Sequence, residues 1–160
     1  MAELTEREKA VAQHYGESIL EYELARLPEH SPVECAVTSR YLERHIPAGA
    51  VVADVGVGGG YYAELLARRG CSLRLVDITQ PLLDATVNRL EAVGLLERIL
   101  STCLASATHL DSLPGACCDV VLYLGPLYHL TAAEDRAQAV REASRVLTPH
   151  GLFYAAAINR

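Results

Sequence analysis

Residues 51–60 read Val51-Val52-Ala53-Asp54-Val55-Gly56-Val57-Gly58-Gly59-Gly60, and the next nine, Tyr61-Tyr62-Ala63-Glu64-Leu65-Leu66-Ala67-Arg68-Arg69, end at Gly70. A short apolar run carrying one acid has the form of a buried strand. Glycines then recur at Gly56, Gly58 and Gly60, and a helix-forming segment follows, closed by another glycine. Strand, glycine turn and helix in that order bring backbone close to a ligand. A Cβ there would obstruct both a positive-φ turn and the ligand's approach.

Spacing narrows the ligand. A dinucleotide-binding turn is spelled G-x-G-x-x-G, which here would require glycine at position 61, and that position is Tyr61. The pattern present is D-x-G-x-G-x-G, with Asp54 two residues before the first glycine. A carboxylate beside the turn repels a pyrophosphate across a poorly solvated cleft, whereas it suits an ammonium or sulfonium group. An ordinary tight strand-to-helix turn would share the same glycines, so this segment needs support from the rest of the chain.

Working outward, residues 6–27 form a helix-prone arm in which Gly16 is a natural break, and Pro28 and Pro32 mark a turn. A second helix is expected over Val33–His45, with Val33, Val37, Tyr41 and Leu42 as its apolar face. Strands are expected over Ala50–Val55, Cys71–Ile78, Ile99–Ala107, Asp119–Leu124 and Leu152–Ile158. Between them lie a helix from about Thr79, its expected N-cap, to Val93, and an amphipathic helix from Thr131, also an expected cap, to Leu147. Ala139, Ala143, Val146 and Leu147 are its inward candidates, and Pro149-His150-Gly151 breaks the chain before the last strand. This alternation predicts a Rossmann-like α/β domain: an open, mostly parallel sheet of about five strands with flanking helices and a helical N-terminal arm. Such sheets bind ligands at the carboxyl ends of their strands, here Gly56–Gly60, Asp77-Ile78, Ser106-Ala107 and Leu124-Gly125. Asp77 is placed to accept from ribose hydroxyls, Ser106 and Ala107 to read an adenine edge, and Ile78 to cover a purine face.

With 160 residues, one domain is expected over 1–160, its arm over 1–46 and its ligand-binding core over 47–160. No apolar run is long enough to span a bilayer, and the N-terminus is charged, so neither a membrane anchor nor a signal peptide is expected. A formal charge of −6 argues against nucleic acid as the main partner and favours a small-molecule substrate. The five cysteines, Cys35, Cys71, Cys103, Cys117 and Cys118, include no C-x-x-C pair; they point to a reducing, cytoplasmic compartment. Neighbouring Cys117 and Cys118 read as small apolar fillers at a strand start. No His and carboxylate cluster has metal-ligand spacing.

Taken together, these segments resemble the class I, Rossmann-like methyltransferases that use S-adenosylmethionine. The resemblance spans roughly Val33 to Asn159 and rests on D-V-G-V-G-G-G at Asp54–Gly60, L-V-D-I at Leu75–Ile78 and the loop Leu104–Pro114. D-V-V-L-Y-L-G-P-L-Y-H-L at Asp119–Leu130 and R-E-A-S-R-V-L-T-P-H-G-L-F at Arg141–Phe153 extend it. The G-P-L-Y-H-L segment is similar to a small-molecule subgroup. The resemblance implies that Gly56, Val57, Gly58 and Gly60 pass beneath the methionine part of the cofactor. Asp54 would lie near its ammonium, Asp77 would hold the ribose, and Ser106 and Ala107 would face the adenine beside Ile78. Leu124 would line the methionine side, and Tyr15 of the arm would close over the cofactor.

Three departures accompany it. Ser106 stands where such enzymes commonly carry an acid, which removes charge assistance from the adenine contact. His150 replaces the usual glycine of a P-G-G turn. The chain ends at Arg160 without the family's usual C-terminal strand pair, so the fifth strand is expected to be an apolar edge, either truncated or covered by a homodimer. If the acceptor must lose a proton, His129 is the best-placed general base, with Tyr128 and His14 behind it. Two other readings stay open at this point: an S-adenosylmethionine-binding module without catalysis, and an NAD-dependent oxidoreductase, which Asp54 and Tyr61 disfavour.

Overall fold

The computed structural model describes residues 4–158; the ends of the expected domain, 1–3 and 159–160, lie outside the described residues. Strands β1 (Val51–Val55), β2 (Ser72–Asp77), β3 (Ile99–Leu104), β4 (Cys118–Tyr123) and β5 (Leu147–Ala155) form one sheet. Their order is β3-β2-β1-β4-β5 and every neighbouring pair is parallel. β1, β2 and β4 are apolar on both faces because helices cover both, the condition under which parallel sheets occur. The chain winds one way from β1 to β3 and the other way through β4 and β5. Their carboxyl ends therefore diverge around a crevice beside β1, the place where open α/β sheets bind ligands.

Helices α1 (Glu6–Gln13), α2 (Leu20–Ala25), α3 (Pro32–His45), α4 (Tyr61–Arg68), α5 (Gln80–Ala92), α6 (Pro126–His129) and α7 (Ala133–Val146) complete the domain. On one face Leu42, Ile46, Leu66, Leu83 and Leu90 pack against Val52, Leu73, Leu75 and Leu122 of the sheet. On the other, Ala139, Ala143 and Val146 of α7 meet Val55, Val76, Val121 and Tyr123. Each fully buried leucine here contributes roughly 1.5–3 kcal/mol of hydrophobic stabilisation. Tyr123, wholly buried, lies with its hydroxyl 3.0 Å from the Ala107 carbonyl and 3.1 Å from that of Ala139, sharing its single proton between them. It ties the loop after β3 to α7.

Several expectations are corrected. The arm breaks at Gly16 as expected, in the π-helical turn His14–Ser18, but the expected turn at Pro28 is a second π-helical turn, Arg26–His30. α3 buries Cys35 and Leu42, while Val33, Val37 and Tyr41 of the expected apolar face are 76%, 63% and 58% exposed. The Cys35–Leu42–Ile46 line, seven and four residues apart, enters the core cluster, while Tyr41 meets Tyr154 of β5 edge to face. Thr79 and Thr131 do not cap with their side chains. Instead the Thr79 N–H donates to Asp77 Oδ1 at 2.9 Å, and the Arg136 guanidinium donates to the carbonyls of Leu130 and Thr131. β5 starts at Leu147, directly after α7. The expected Pro149–Gly151 break is absorbed as a register shift opposite Cys118–Val120, with His150 at φ +69°. β5 forms the sheet edge, with Leu152 and Phe153 40% and 36% exposed.

Candidate cofactor-binding site

A cavity of about 350 Å³ opens at the carboxyl ends of β1, β2, β3 and β4, roofed by the N-terminal arm. That volume lies within the range of small-ligand and cofactor sites. Asp54 lines it from β1, with Gly56, Val57 and Gly58 following; Asp77 and Ile78 line it from the end of β2. Ser106 and Ala107 come from the loop after β3, Leu124 from just beyond β4, His129 from α6 and Tyr15 from the arm. The structure thus brings together eleven of the twelve residues expected at the site.

Gly60 is the exception. It does not line the cavity; at φ +73° it starts α4, and a Cβ built on it would lie 2.8 Å from Thr86 Oγ1 of α5. Its glycine is demanded by a left-handed backbone and by helix packing rather than by a ligand. Gly59, in turn, admits the arm: a Cβ there would stand 3.0 Å from both the Glu23 carbonyl oxygen and the Leu24 Cα of α2. Part of the glycine run therefore serves the roof of the cavity.

Two carboxyl groups dominate the electrostatics. Asp54 is 4% exposed and Asp77 6%. Burial, reinforced by the charge of Asp77, pushes the Asp54 carboxyl up to about 7. Burial also raises Asp77, to about 6, while the backbone N–H of Thr79, its hydroxyl and the N–H groups of Gly58 and Val57 draw it down. Among the described residues, no cation acts on the Asp54 carboxyl to offset this rise. Two buried acids facing one cavity repel each other, and a cationic ligand relieves both the repulsion and the desolvation.

Across the cavity, Tyr15 Oη and His129 Nε2 are 3.1 Å apart, their rings edge to face. Burial lowers the His129 pKa, with the Arg7 and His14 charges adding to the effect, so the imidazole is held neutral. Burial raises Tyr15 to about 12, so its phenol stays protonated. His129 closes the short helix α6, just beyond the end of β4.

Four cavity residues of the arm, Glu8, Glu23, Arg26 and Glu34, were not foreseen. Glu23 is buried and paired with the Arg26 guanidinium at 3.0 Å, and Arg26 also reaches Glu34 at 3.0 Å. Glu8 of α1 accepts from Ser106 Oγ at the end of the loop after β3. Arg26 and Glu34 were readable only as surface charges of an arm. Glu8 had one signal: Thr5-x-x-Glu8 has the capping-box form, which is realised at the start of α1. Among the described residues no group of three His, Cys, Asp or Glu side chains could hold a metal ion, and no helix is long and apolar enough to cross a membrane.

Comparison with known proteins gives this geometry a family context. The methyltransferase domain model matches residues 53–155. A ubiquinone biosynthesis O-methyltransferase of Pseudomonas paraeruginosa (strain DSM 24068 / PA7) is 34% identical over 119 residues, covering 74% of this chain and 48% of that protein. A tRNA (carboxymethyluridine(34)-5-O)-methyltransferase of Mus musculus is 30% identical over 149 residues, covering 90% of this chain and 19% of its own length. The chain thus spans about half or less of these curated relatives' lengths. Among solved structures, the CcbJ methyltransferase of Streptomyces caelestis superposes with a TM-score of 0.72 at 24% identity, over 87% of this chain and 55% of that one, a likeness of fold.

Proposed function

Because the chain belongs to the class I S-adenosylmethionine-dependent methyltransferases, we propose that its cavity binds S-adenosylmethionine and serves methyl transfer to a hydroxyl of a small-molecule acceptor. The observation that carries this reading is the pair of buried carboxyls, Asp54 and Asp77, that face one cavity and raise each other's cost of ionisation. The cofactor fits them: its ammonium and sulfonium supply positive charge, and its ribose supplies hydroxyl donors. Asp54 would hold the ammonium, Asp77 the ribose diol, and Ile78, Val57 and Leu124 the apolar surfaces. Tyr15 would cover the site from the arm.

When bound, S-adenosylmethionine supplies an electrophilic methyl on sulfur with a neutral leaving group, so little acid–base chemistry is asked of the protein. The protein's share is alignment and exclusion of water. The arm and α6 enclose the cavity, and the apolar side chains keep its dielectric low. A hydroxyl acceptor must lose a proton, and His129 would take it. In the tautomer whose Nε2–H donates to Tyr15, Nδ1 carries the free lone pair, and burial keeps the ring neutral and receptive. Pro126, Tyr128 and Leu130, which line the cavity with His129, support assigning the Gly125–Leu130 segment to acceptor recognition, as in the small-molecule subgroup.

The Pseudomonas relative's name supports an oxygen acceptor, whereas the mouse relative's name raises a tRNA acceptor. The formal charge of −6 favours the small molecule. The domain reading follows: arm 1–46 over core 47–160, in a reducing cytoplasmic compartment that suits the five free cysteines. The exposed β5 edge is the surface a second copy would cover, which sedimentation would show as a dimer. To test the function, the protein is incubated with methyl-labelled S-adenosylmethionine and either a small-molecule extract or total tRNA. Label in the small-molecule fraction supports the reading, and label in tRNA replaces the acceptor class. Saturable cofactor binding with no transfer to either fraction indicates a non-catalytic module.

A further inference from the structure

The corner of the cavity at the loop after β3 holds a hydrogen-bond chain with a forced direction. A carboxylate accepts and cannot donate, so Ser106 Oγ must give its single proton to Glu8 Oε1. The two lone pairs left on Ser106 Oγ take the Thr108 N–H at 3.1 Å and the Thr108 hydroxyl at 2.8 Å. Thr108 Oγ1, having spent its own proton, accepts from His109 Nδ1 at 2.9 Å. Ser106 is therefore saturated: the side chain that sequence assigns to reading an adenine edge has no acceptor capacity left. Glu8 does. Its Oε2 takes the Thr5 N–H at 2.9 Å and the Thr5 hydroxyl at 2.8 Å, while Oε1 receives one donor from the protein and keeps a lone pair. Both residues line the same cavity. Burial pushes the Glu8 pKa up, but the hydrogen bonds from Ser106 and Thr5 outweigh it and leave the carboxyl ionised.

Resting on the cofactor reading above, we propose that Glu8, delivered by the first helix of the arm, is the nucleobase-selecting residue of the cavity. Its Oε1 accepts the exocyclic amino group of adenine, and Ser106 aims it. A 6-amino purine meets this acceptor with a donor; a 6-oxo purine meets it with another acceptor, and two acceptors face to face leave a buried polar pair unsatisfied. The arm is then part of the specificity of the core, because the selecting charge is carried 98 residues away in sequence from the serine it pairs with.

The test is calorimetric binding of S-adenosylhomocysteine and of S-inosylhomocysteine, its 6-oxo analogue, to the full chain. Wild type should prefer the adenosyl compound by about 30-fold or more, the scale of one well-made base contact. Glu8→Gln keeps the capping box, since glutamine serves equally at that helix position, so α1 should stay docked and the melting temperature should hold. Its amide offers a donor as well as an acceptor. The variant should bind S-adenosylhomocysteine about 10-fold more weakly, from loss of charge assistance, and should discriminate between the two compounds by no more than about 3-fold. Glu6→Gln, which removes an equal charge from the exposed side of α1, should keep the wild-type preference. An unchanged preference in Glu8→Gln, or equal binding of both compounds by wild type, overturns the proposal and leaves the cofactor reading standing. Wild type binding neither compound removes both.

Discussion

Replacing Asp54 by asparagine should make the ligand-free protein more stable and the ligand-bound protein weaker, and the first effect should depend on pH. Asp54 and Asp77 both hold their protons more tightly in the folded state than in the unfolded chain, where an aspartate titrates near 3.9. Below about pH 4 both states are largely protonated and stability is at its fullest with respect to these groups. As pH rises toward 7 the unfolded chain ionises first, and the folded state loses stability until its own carboxyls ionise. Raising Asp54 from 3.8 to about 7 corresponds to a penalty of about 4 kcal/mol once the pH exceeds both values. At pH 5 less than half of that penalty is present.

Urea unfolding of wild type and Asp54→Asn, ligand-free, at pH 5 and pH 8 reads this directly. The stability advantage of the variant should widen by about 2–3 kcal/mol between the two pH values. The same variant should bind S-adenosylmethionine at least about 30-fold more weakly, since removing one partner of a buried charge pair costs about 2 kcal/mol or more. A site kept for binding at the expense of ligand-free stability is the expected signature of a functional charge. Parallel pH curves for the two proteins would refute the reasoning, because they would mean that Asp54 is solvated and already ionised at pH 5.

Gly60→Ala should cost about 2–4 kcal/mol in chemical unfolding, because a left-handed backbone and a Cβ 2.8 Å from Thr86 Oγ1 both oppose it; a cost under 0.5 kcal/mol would show that α5 yields easily. Glu142→Ala should lower stability by roughly 2–3 kcal/mol, since Glu142 accepts the Leu110 N–H at 2.8 Å and holds Arg145, whose guanidinium binds the Leu110 and Leu113 carbonyls. The Glu142 pKa is lowered, chiefly by its hydrogen bond to Arg145, so its contribution is present above the unfolded carboxyl pKa and is lost as pH falls below it; wild type and variant should converge under acid. His129→Asn should slow transfer to a hydroxyl acceptor by about 100-fold or more and abolish the acidic limb of the pH–rate profile, a limb that in wild type should fall below the usual histidine value because burial depresses the His129 pKa. Retention of that limb in the variant would assign the proton to another group.

What the chain disclosed before any coordinates depended on how local the signal was. The run Val51–Gly60 carries its strand, turn and helix start in neighbouring residues, and alternation with the later segments gave the parallel sheet. Asp54 and Asp77 were found because each is the acid at or near the end of an apolar strand, and parallel pairing of β1 with β2 brings those ends to one crevice. The inward line of α7 at Ala139, Ala143 and Val146 was readable from helical spacing. α3 misled because its most apolar stripe, Val33, Val37 and Tyr41, is exposed, whereas Cys35 and Leu42 are the residues it buries. Ser106 was assigned a reading role because a hydroxyl's remaining valence cannot be counted until its partners are known, and its decisive partner comes from the far end of the chain. For the same reason nothing in the sequence marks Glu23, which α2 lays against the glycine turn.

The decisive observation is the structure of the protein with S-adenosylhomocysteine bound. Carboxylate oxygens of Asp77 within hydrogen-bond distance of both ribose hydroxyls, with the amino group of the ligand beside Asp54, is the predicted arrangement. A nucleoside lodged elsewhere, with those two acids still facing an unfilled crevice, would contradict it.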